Sequence, residues 1–528
     1  MLETFKKFLG MTPSGEENRI IVNCEPLETR VAVLEGKILE EYTIERTGQP
    51  NIVGSIFKGR VKNIENGLKA MFVDIGFEKN AFLHFWDAIP AALDGGLEEI
   101  KRSTNKKRQR ITSKDIPQIY PVGSEVMVQV TKGPIGNKGP RVTTNISLPG
   151  RFMVLMPLND QFGISRKIED PAERQRLRKI CERLSVPESM GIILRTVCQG
   201  KRARFFVRDL RLLLDTWEEI DEKQRSEKAP MCVFQEPGLV ERTVRDFLTD
   251  EVGEVLCDDR ETTDLMRDLV GSISRRAKKR INFYQDQQPI FDKMGINRQI
   301  ENAFHRQVWL PCGGYLVIDE TEAMITVDVN TGRNKGSKGN MDKMILDTNL
   351  ESADEVARQL KLRNIGGLVV VDFIDMKGRK DQMAVYRRMR DRVRKDKAKT
   401  QILHISQLGL MEMTRQRLNE SLTGAVMEPC SYCSGKGTVK STMTMSVELQ
   451  RRLNAVFQKQ GEGRDLIVVV HPDVMHRLRT EDDAILVDLQ RRNSGRLTFR
   501  SDPAYHREQV MIVDATTNEE ITIGKPQD

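Results

Sequence analysis

The sequence predicts a multidomain α/β protein that contains a small closed β-barrel and a domain with parallel strands. Between residues 51 and 148, about five short apolar stretches alternate with glycine-rich turns, which is typical of a small barrel. Between residues 315 and 376 the pattern changes to strand, helix and strand, an order typical of parallel pairing in an α/β sheet. At 528 residues the chain is long enough for several such domains.

The composition excludes two classes of protein. No run of about eighteen apolar residues occurs, so the sequence predicts no membrane-spanning helix. The eight cysteines are scattered and only Cys430 and Cys433 lie close together, which argues against a disulfide framework. Residues 1–18 lack the apolar centre of a secretory signal. We therefore expect a cytoplasmic protein.

Outside the barrel, the pattern predicts a hairpin and a mainly helical region. Residues 19–46 alternate apolar and polar side chains around a turn at Gly36, which indicates a hairpin. Asp170 and Pro171 are suited to the N-cap and first turn of a helix, and apolar residues recur at helical spacing after them. Residues 205–294 are predicted to be mostly helical and charged.

Two phenylalanines stand out within the predicted barrel. Period-two alternation places Phe72 on one face of its strand with Asp74, and Phe82 on one face of its strand with His84. Phenylalanines beside polar residues are suited to stacking on RNA bases. Burial in the barrel core is the more common role of a phenylalanine, so both interpretations stay open on the pattern alone.

A polar edge is predicted where two strands end. TVDVNTGR places Asp328 and Asn330 on one face of a strand, and Asp372 lies in the later apolar run VVVDFIDM. A helix predicted from about residue 349 to 363 connects the two strands. Both strands should then run parallel and bring these side chains to the carboxyl edge of the sheet. Asp375 would face the opposite side if its strand continued that far, which leaves it a supporting role.

The residue types at this edge indicate a metal site. Two carboxylates and an amide oxygen are hard donors, the kind that Mg²⁺ or Mn²⁺ takes while keeping several waters. A cation held there would polarise a phosphodiester and activate water for hydrolysis. The alternative is structural, because an aspartate directly after a strand often caps the helix or turn that follows.

The stretch EPCSYCSGKGT contains a second sharp motif. Cys430 and Cys433 stand at CxxC spacing, and two such thiolates supply half of a tetrahedral zinc site. A thioredoxin-like redox pair is the alternative, but the strand-to-helix context of that motif is missing. Since the chain has no second close pair, the simplest source of two further thiolates is a second copy of the chain.

Together these segments resemble the ribonuclease E/G family of endoribonucleases. TVDVNTGR, the helix TNLESADEVARQLKLRNIGG and VVVDFIDM are similar to the family's nuclease core. FVDIG, AFLHF, GNKG, ISLPGRFMVLMP and ILRT precede them in the family's order, so the resemblance covers nearly the whole chain after about residue 19. It implies a metal-dependent endoribonuclease that hydrolyses single-stranded RNA, prefers 5′-monophosphorylated ends and leaves 5′-phosphate on the downstream product. rRNA processing and mRNA decay are the implied roles.

The resemblance implies roles for individual residues in catalysis, RNA contact and sensing of a 5′-monophosphate. The residues that match the catalytic ones are Asp328, Asn330 and Asp372, and the two aspartates among them are metal ligands. The residues that match the RNA contacts are Phe72, Phe82 and Lys138. The residues that match the 5′-monophosphate sensor are Gly150, Val154, Arg195 and Thr196. An arginine suits such a sensor because its guanidinium can hold a phosphate through two hydrogen bonds.

The resemblance also implies a zinc-linked assembly. Cys430 and Cys433 match ligands of a zinc ion that is shared between two subunits, and two such dimers form a dimer of dimers. Ser431 stands where the family usually has proline, which leaves both ligands in place.

Domain boundaries follow from the same resemblance. The expected order is an N-terminal hairpin region at 1–47, which packs with 224–294 in a ribonuclease H-like subdomain, an OB-type RNA-binding barrel at 48–146, a 5′-phosphate sensor domain at 147–223, a deoxyribonuclease I-like catalytic domain at 295–416, a zinc link at 417–440 and a small α/β domain at 441–528. The densest basic run, at 101–110, is predicted to be an additional RNA-facing loop. A long scaffold tail for other decay enzymes is not expected, which makes the ribonuclease G branch the closer match.

A second functional class accounts for part of the sequence. A non-catalytic OB-fold RNA-binding or RNA-chaperone protein would use the barrel and the basic run equally well. That hypothesis gives no reason for Asp328, Asn330 and Asp372 to converge on one edge of a sheet, and this convergence separates the two hypotheses.

Overall fold

The computed structural model describes residues 18–48, 51–89, 97–100, 112–134, 138–248, 252–271, 275–321, 324–334, 341–394, 396–416, 421–460, 463–493 and 495–521. The basic run at 101–110 lies outside these ranges. The chain divides into two compact units, Met1–Ala425 and Val426–Asp528.

Within the described ranges, the strands are β1 (Asn18–Cys24), β2 (Glu28–Glu35), β3 (Ile38–Arg46), β4 (Ile56–Glu65), β5 (Ala70–Asp74), β6 (Ala81–His84), β7 (Leu97–Ile100), β8 (Glu125–Lys132), β9 (Arg141–Thr143), β10 (Leu148–Pro149), β11 (Met153–Met156), β12 (Phe162–Ser165), β13 (Gly191–Leu194), β14 (Met231–Phe234), β15 (Val252–Cys257), β16 (Ile281–Phe283), β17 (Gln307–Trp309), β18 (Tyr315–Glu320), β19 (Met324–Asn330), β20 (Gly367–Asp372), β21 (Thr400–Ile402), β22 (Leu410–Arg415), β23 (Leu466–Val470), β24 (Leu497–Ser501) and β25 (Val510–Asp514).

The α-helices in the same ranges are α1 (Ile116–Ile119), α2 (Pro171–Arg183), α3 (Ala203–Ser226), α4 (Leu239–Phe247), α5 (Arg260–Gly271), α6 (Arg275–Lys278), α7 (Ile290–Lys293), α8 (Ile296–Phe304), α9 (Met341–Leu362), α10 (Arg379–Val393), α11 (Leu422–Val426), α12 (Thr442–Gln460), α13 (Pro472–Thr480) and α14 (Asp483–Asn493). Two short 3₁₀ helices span Phe85–Ala88 and Thr196–Cys198.

The first sheet has the strand order β16-β15-β1-β2-β3. β2 and β3 form the predicted hairpin, and Gly36 has a φ of 64°, a left-handed conformation that glycine adopts without strain. β1 pairs in parallel with β15, so this strand is joined to a segment of the 205–294 region. That region is rich in helices, as predicted, but it also contains β14, β15 and β16, whose short runs were missed.

The predicted closed barrel is confirmed. β4, β5, β6, β9 and β8 pair in that order, and β8 pairs again with β4. β14 adds to the outside of β4. Gly59 of β4 allows the close approach of β5, because a Cβ there would lie 2.5 Å from Val73 Cγ1.

A third sheet, β10-β11-β13-β12-β7, packs with α2 and α3 around one apolar core. Asp170 is the N-cap of α2, since its side chain accepts a hydrogen bond from the Ala172 N–H at 3.0 Å, and Pro171 opens the helix. The predicted helix start is confirmed.

The fourth sheet has the order β17-β18-β19-β20-β22-β21. β19 and β20 are parallel and α9 connects them, which confirms the predicted pairing. The helix begins at Met341 and not near residue 349. The side chains of its first two turns are exposed or half-buried, so these turns do not extend the buried apolar face from which the helix was predicted. Val369 and Val371 of β20 are fully buried and anchor this strand in the core.

The second unit contains a small α/β domain. Its sheet has the order β24-β23-β25, and residues of α12, α13 and α14 complete its apolar core. Across the described parts of both units, no helix combines the length and the apolar character needed to cross a membrane.

Candidate functional site

Two carboxylates and an amide meet at the carboxyl edge of the fourth sheet. Asp328 of β19 and Asp372 of β20 are register partners in the parallel pair. Register partners face the same side of a sheet, so the two carboxylates lie side by side, and both are exposed. Asn330 Nδ2 donates a hydrogen bond of 2.8 Å to Asp328 Oδ2. The fold therefore brings the three predicted side chains together.

The electrostatics of this edge favour a bound cation. Partial desolvation by its neighbours raises the pKa of the Asp372 carboxyl, although the residue is exposed, and the charges of Asp328 and Asp375 raise it further. Within the described residues, neither Asp328 nor Asp372 has an ion-pair partner. Two adjacent carboxylates without a basic side chain repel one another, and hard oxygen donors of this kind fit Mg²⁺ or Mn²⁺. The donor set therefore fits the metal that the sequence predicted.

Asp375 lies on the loop after β20. Its predicted orientation assumed that the strand continues, but β20 ends at Asp372. The loop borders a pocket of about 210 Å³ that Asp375 and Gly409 help to line. A Cβ on Gly409 would lie 3.3 Å from Asp375 Oδ1, so the backbone passes close to this carboxylate. Asp375 is thus near the pair and contributes negative charge to it.

The outer face of the barrel carries an aromatic pair. Phe72 and Phe82 are cross-strand partners with ring centroids 5.9 Å apart, and both are half-buried. Their strand neighbours, such as Met71 and Leu83, fill the core instead. The segment that contains Lys138 runs alongside, since the Phe82 N–H donates to the Pro140 carbonyl at 2.7 Å, and Lys138 is exposed. The two rings are therefore not part of the barrel core.

The four predicted sensor residues lie close together in the third sheet. Arg195 follows the end of β13, and its Nη1 donates to the Gly150 carbonyl at 2.7 Å. The Arg195 N–H also donates to the Phe152 carbonyl. Val154 of β11 pairs with Ile193 of β13, two residues before Arg195. Thr196 opens the 3₁₀ helix that follows. The half-buried guanidinium of Arg195 therefore lies among these residues at the end of β13.

The CxxC segment forms a tight loop in the second unit. Ser434, Gly435 and Gly437 all have positive φ. The Gly437 N–H donates to Cys433 Sγ at 3.2 Å, and backbone N–H groups of Cys433 and Tyr432 lower the pKa of the Cys430 thiol. N–H groups directed at sulfur favour the thiolate, which is the form that binds a metal. In the part of the chain that the structure describes, no third ligand completes a metal-binding group with this pair.

Comparison with known proteins places this geometry in a family. Residues 147–418 match the model of the ribonuclease E/G family. The chain is 36% identical to ribonuclease G of Escherichia coli strain K12 over 494 residues, which is 94% of this chain and 99% of that protein. The chain belongs to the ribonuclease E/G family. Ribonuclease G of Haemophilus influenzae is 34% identical over 94% of this chain. Ribonuclease E of E. coli is 38% identical over 88% of this chain but only 43% of its own length.

One polar residue at the acidic edge of this ribonuclease E/G family member was missed in the sequence. Asn349 of α9 is fully buried, and its side chain donates to the Ile374 carbonyl at 2.8 Å and accepts from the Ile374 N–H at 3.1 Å. It fixes the loop between Asp372 and Asp375. The available signal was an amide on the buried face of the helix, four residues before Ala353.

Two acidic residues that hold Arg195 and the loop after Gly150 were also missed. Asp246 Oδ1 accepts a hydrogen bond of 2.8 Å from Arg195. Burial would raise the pKa of the Asp246 carboxyl, but the charges of Arg245 and Arg195 hold it below its ordinary value. Asp209 of α3 accepts from the N–H groups of residues 151–153, and a Cβ at Gly150 would lie 2.6 Å from its Oδ2. The signal for Asp209 was an acidic residue on the apolar face of a helix. Asp246 lies in a charged segment that gave no such signal.

Proposed function

We propose that this member of the ribonuclease E/G family is a metal-dependent endoribonuclease of the cytoplasm. It hydrolyses single-stranded RNA, prefers substrates with a 5′-monophosphate, leaves 5′-phosphate on the downstream product and acts in rRNA processing and mRNA decay. The relatives are named ribonucleases, which supports RNA as the substrate. The observation that carries the proposal is the direct parallel pairing of Asp328 with Asp372.

Asp328 and Asp372 would hold the cation. Asn330 donates a hydrogen bond to Asp328 Oδ2. This contact fixes the orientation of the carboxylate, and with it the direction of Oδ1. Asn349 holds the loop that follows Asp372 through Ile374. When Mg²⁺ or Mn²⁺ is bound, it supplies the Lewis acid that polarises a phosphodiester and activates water near neutral pH.

Substrate binding would use the barrel and the third sheet. We assign single-strand contacts to Phe72, Phe82 and Lys138, since half-buried rings offer a face for base stacking and the lysine offers charge to the backbone. Stacking needs unpaired bases, which accounts for a preference for single strands. On this assignment the barrel at 48–146 is the OB-type RNA-binding domain, and residues 295–416 form the deoxyribonuclease I-like catalytic domain.

A cleavage assay tests the function directly. We expect a short single-stranded RNA to be cut with Mg²⁺, and the same RNA annealed to its complement to be resistant, because its bases are already stacked. Chelation of the cation should stop cleavage while RNA binding continues. Product ends are mapped by mass spectrometry, and a 5′-phosphate on the downstream fragment is expected. If no product forms at any Mg²⁺ concentration, the protein is a non-catalytic RNA-binding protein.

We further propose that Cys430 and Cys433 bind zinc together with the same pair from a second copy of the chain. A tetrahedral zinc site needs four ligands, and the loop offers two. This link would form a dimer, and two dimers would assemble into a tetramer.

The Cys430→Ser variant should have a lower mass in solution than the unaltered chain, shifting from tetramer toward dimer or from dimer toward monomer. Light scattering after size-exclusion chromatography measures this mass. Cys232→Ser is the matched control, because Cys232 is also exposed but lies on β14 in the first unit. An unchanged mass for Cys430→Ser would mean that the pair does not link two subunits.

A further inference from the structure

Two cysteines that the proposed nuclease does not use meet on one face of the first sheet. Val22 of β1 is the register partner of Cys257 of β15, and Cys24 lies two residues beyond Val22, so the two cysteines share a face. Cys257 is fully buried in the core beneath this sheet, and Cys24 packs against that core while keeping partial exposure. The Cys257 thiol is therefore buried, whereas the Cys24 thiol is partly exposed.

A carboxylate completes the group. Cys24 Sγ, Cys257 Sγ and a carboxylate oxygen of Asp258 all lie within 4.8 Å of one another. Ligands of a tetrahedral zinc ion with Zn–S bonds of about 2.3 Å are about 3.8 Å apart, so a contraction of about 1 Å or less would close the site. Side-chain rotation supplies a movement of that size.

The Asp258 carboxylate is held in position. Its Oδ1 accepts a hydrogen bond of 2.8 Å from the Cys24 N–H, and its Oδ2 accepts one of 2.6 Å from Asn23 Nδ2. Asn23 is itself nearly buried and accepts from Arg30 Nε. Neighbours of this kind orient metal ligands and leave further lone pairs on each oxygen. Within the described residues Asp258 has no ion-pair partner.

We propose that Cys24, Cys257 and Asp258 bind a thiophilic divalent cation of the Zn²⁺ class. Two thiolates select a soft or borderline metal over Mg²⁺, so the site is chemically distinct from the Asp328–Asp372 pair. Water would occupy the fourth position. The cation would join β1 to β15 across 234 positions of sequence and stabilise the first sheet. A disulfide is the competing use of two thiols, but it needs no converging carboxylate.

Cobalt binding to the full-length Cys430→Ser/Cys433→Ser variant tests the proposal, since this background removes the other thiolate pair. We expect one thiolate-bound Co²⁺ per chain, detected by thiolate-to-cobalt charge-transfer absorption and displaced by Zn²⁺ but not by Mg²⁺. Adding Cys24→Val should abolish the absorption, and Asp258→Asn should weaken Co²⁺ binding at least tenfold. Cys232→Val and Asp264→Asn are the matched controls, and both should leave binding unchanged. Absence of the absorption, or its persistence with Cys24→Val, would overturn the proposal.

Alkylation of the unaltered chain gives an independent readout that requires neither substitution nor nuclease activity. At free Zn²⁺ of about 100 times Kd, carboxamidomethylation of Cys24 should slow about 100-fold, while the exposed Cys232 reacts at its original rate. Mg²⁺ should have no effect on either. An equal rate for Cys24 with and without Zn²⁺, or recovery of a Cys24–Cys257 disulfide from reduced protein, would exclude the metal site.

Discussion

Replacing Asp372 by asparagine should lower kcat for RNA cleavage about 10³-fold or more and leave RNA affinity within about twofold. The amide has nearly the same size but no charge, so the cation loses one of its two charged ligands. Several kcal/mol of transition-state stabilisation depend on that cation, and each 1.4 kcal/mol or so is a factor of about ten in rate. Single-turnover cleavage at saturating Mg²⁺ measures the rate, and fluorescence anisotropy with labelled RNA measures the affinity.

Two further variants make this result specific. Asp319→Asn removes a carboxylate from β18 in the same sheet, but Arg306 already holds that carboxylate at 2.7 Å, so cleavage should be nearly unaffected. Phe82→Ala should show the opposite pattern to Asp372→Asn. It should weaken RNA binding by about 1–3 kcal/mol and change kcat little at saturating RNA. Undiminished cleavage by Asp372→Asn would show that the acidic edge is structural.

Replacing Arg195 by alanine should lower kcat/KM about 10- to 100-fold for 5′-monophosphorylated RNA and much less for 5′-hydroxyl RNA. Arg195 uses Nη1 to contact Gly150 and Asp246, and among the described residues its other guanidinium edge has no partner, so it can hold a phosphate. Charge-assisted hydrogen bonds of this type contribute about 1.5–3 kcal/mol. Competition between the two RNAs in one reaction measures the ratio directly.

The matched control for the sensor is Arg176→Ala. Arg176 is a partly exposed residue of α2, and its guanidinium is paired with Glu173. The Arg176→Ala substitution should change kcat/KM for both RNAs by the same factor. The Arg195 variant is expected to fold, because Asp246 keeps its hydrogen bond to Arg245. Equal slowing of both substrates by Arg195→Ala would mean that Arg195 does not sense the 5′ end.

Local periodicity was sufficient to predict much of the fold and the composition of the acidic edge. Alternation of two residues put Asp328 and Asn330 on one face, and the strand–helix–strand order implied parallel pairing with Asp372. The same reasoning predicted the barrel from its short strands and the start of α2 from Asp170. These properties depend on residues that are near one another in sequence, so the sequence carries their signal.

Contacts between distant segments could not be predicted in this way. The orientation of Asp375 depends on where β20 stops, and beyond that end Asn349 of a distant helix holds the loop through two hydrogen bonds to Ile374. Asp246 reaches Arg195 from α4, a helix whose apolar residues belong to the core of the first sheet, 51 positions away in sequence. The two strands that carry Cys24 and Cys257 show no sign of each other in the sequence, and β15 was not predicted at all.

The amino-acid sequence by itself determined the chemistry of this protein: two carboxylates and an amide at the end of adjacent strands, a CxxC pair, an arginine after an apolar strand and two phenylalanines beside polar residues. Tertiary structure alone decided which residues from distant parts of the sequence lie in contact with these groups. The physical reason is range, since backbone geometry repeats every two to four residues, whereas the partner of a charge or thiol is chosen by how whole elements pack.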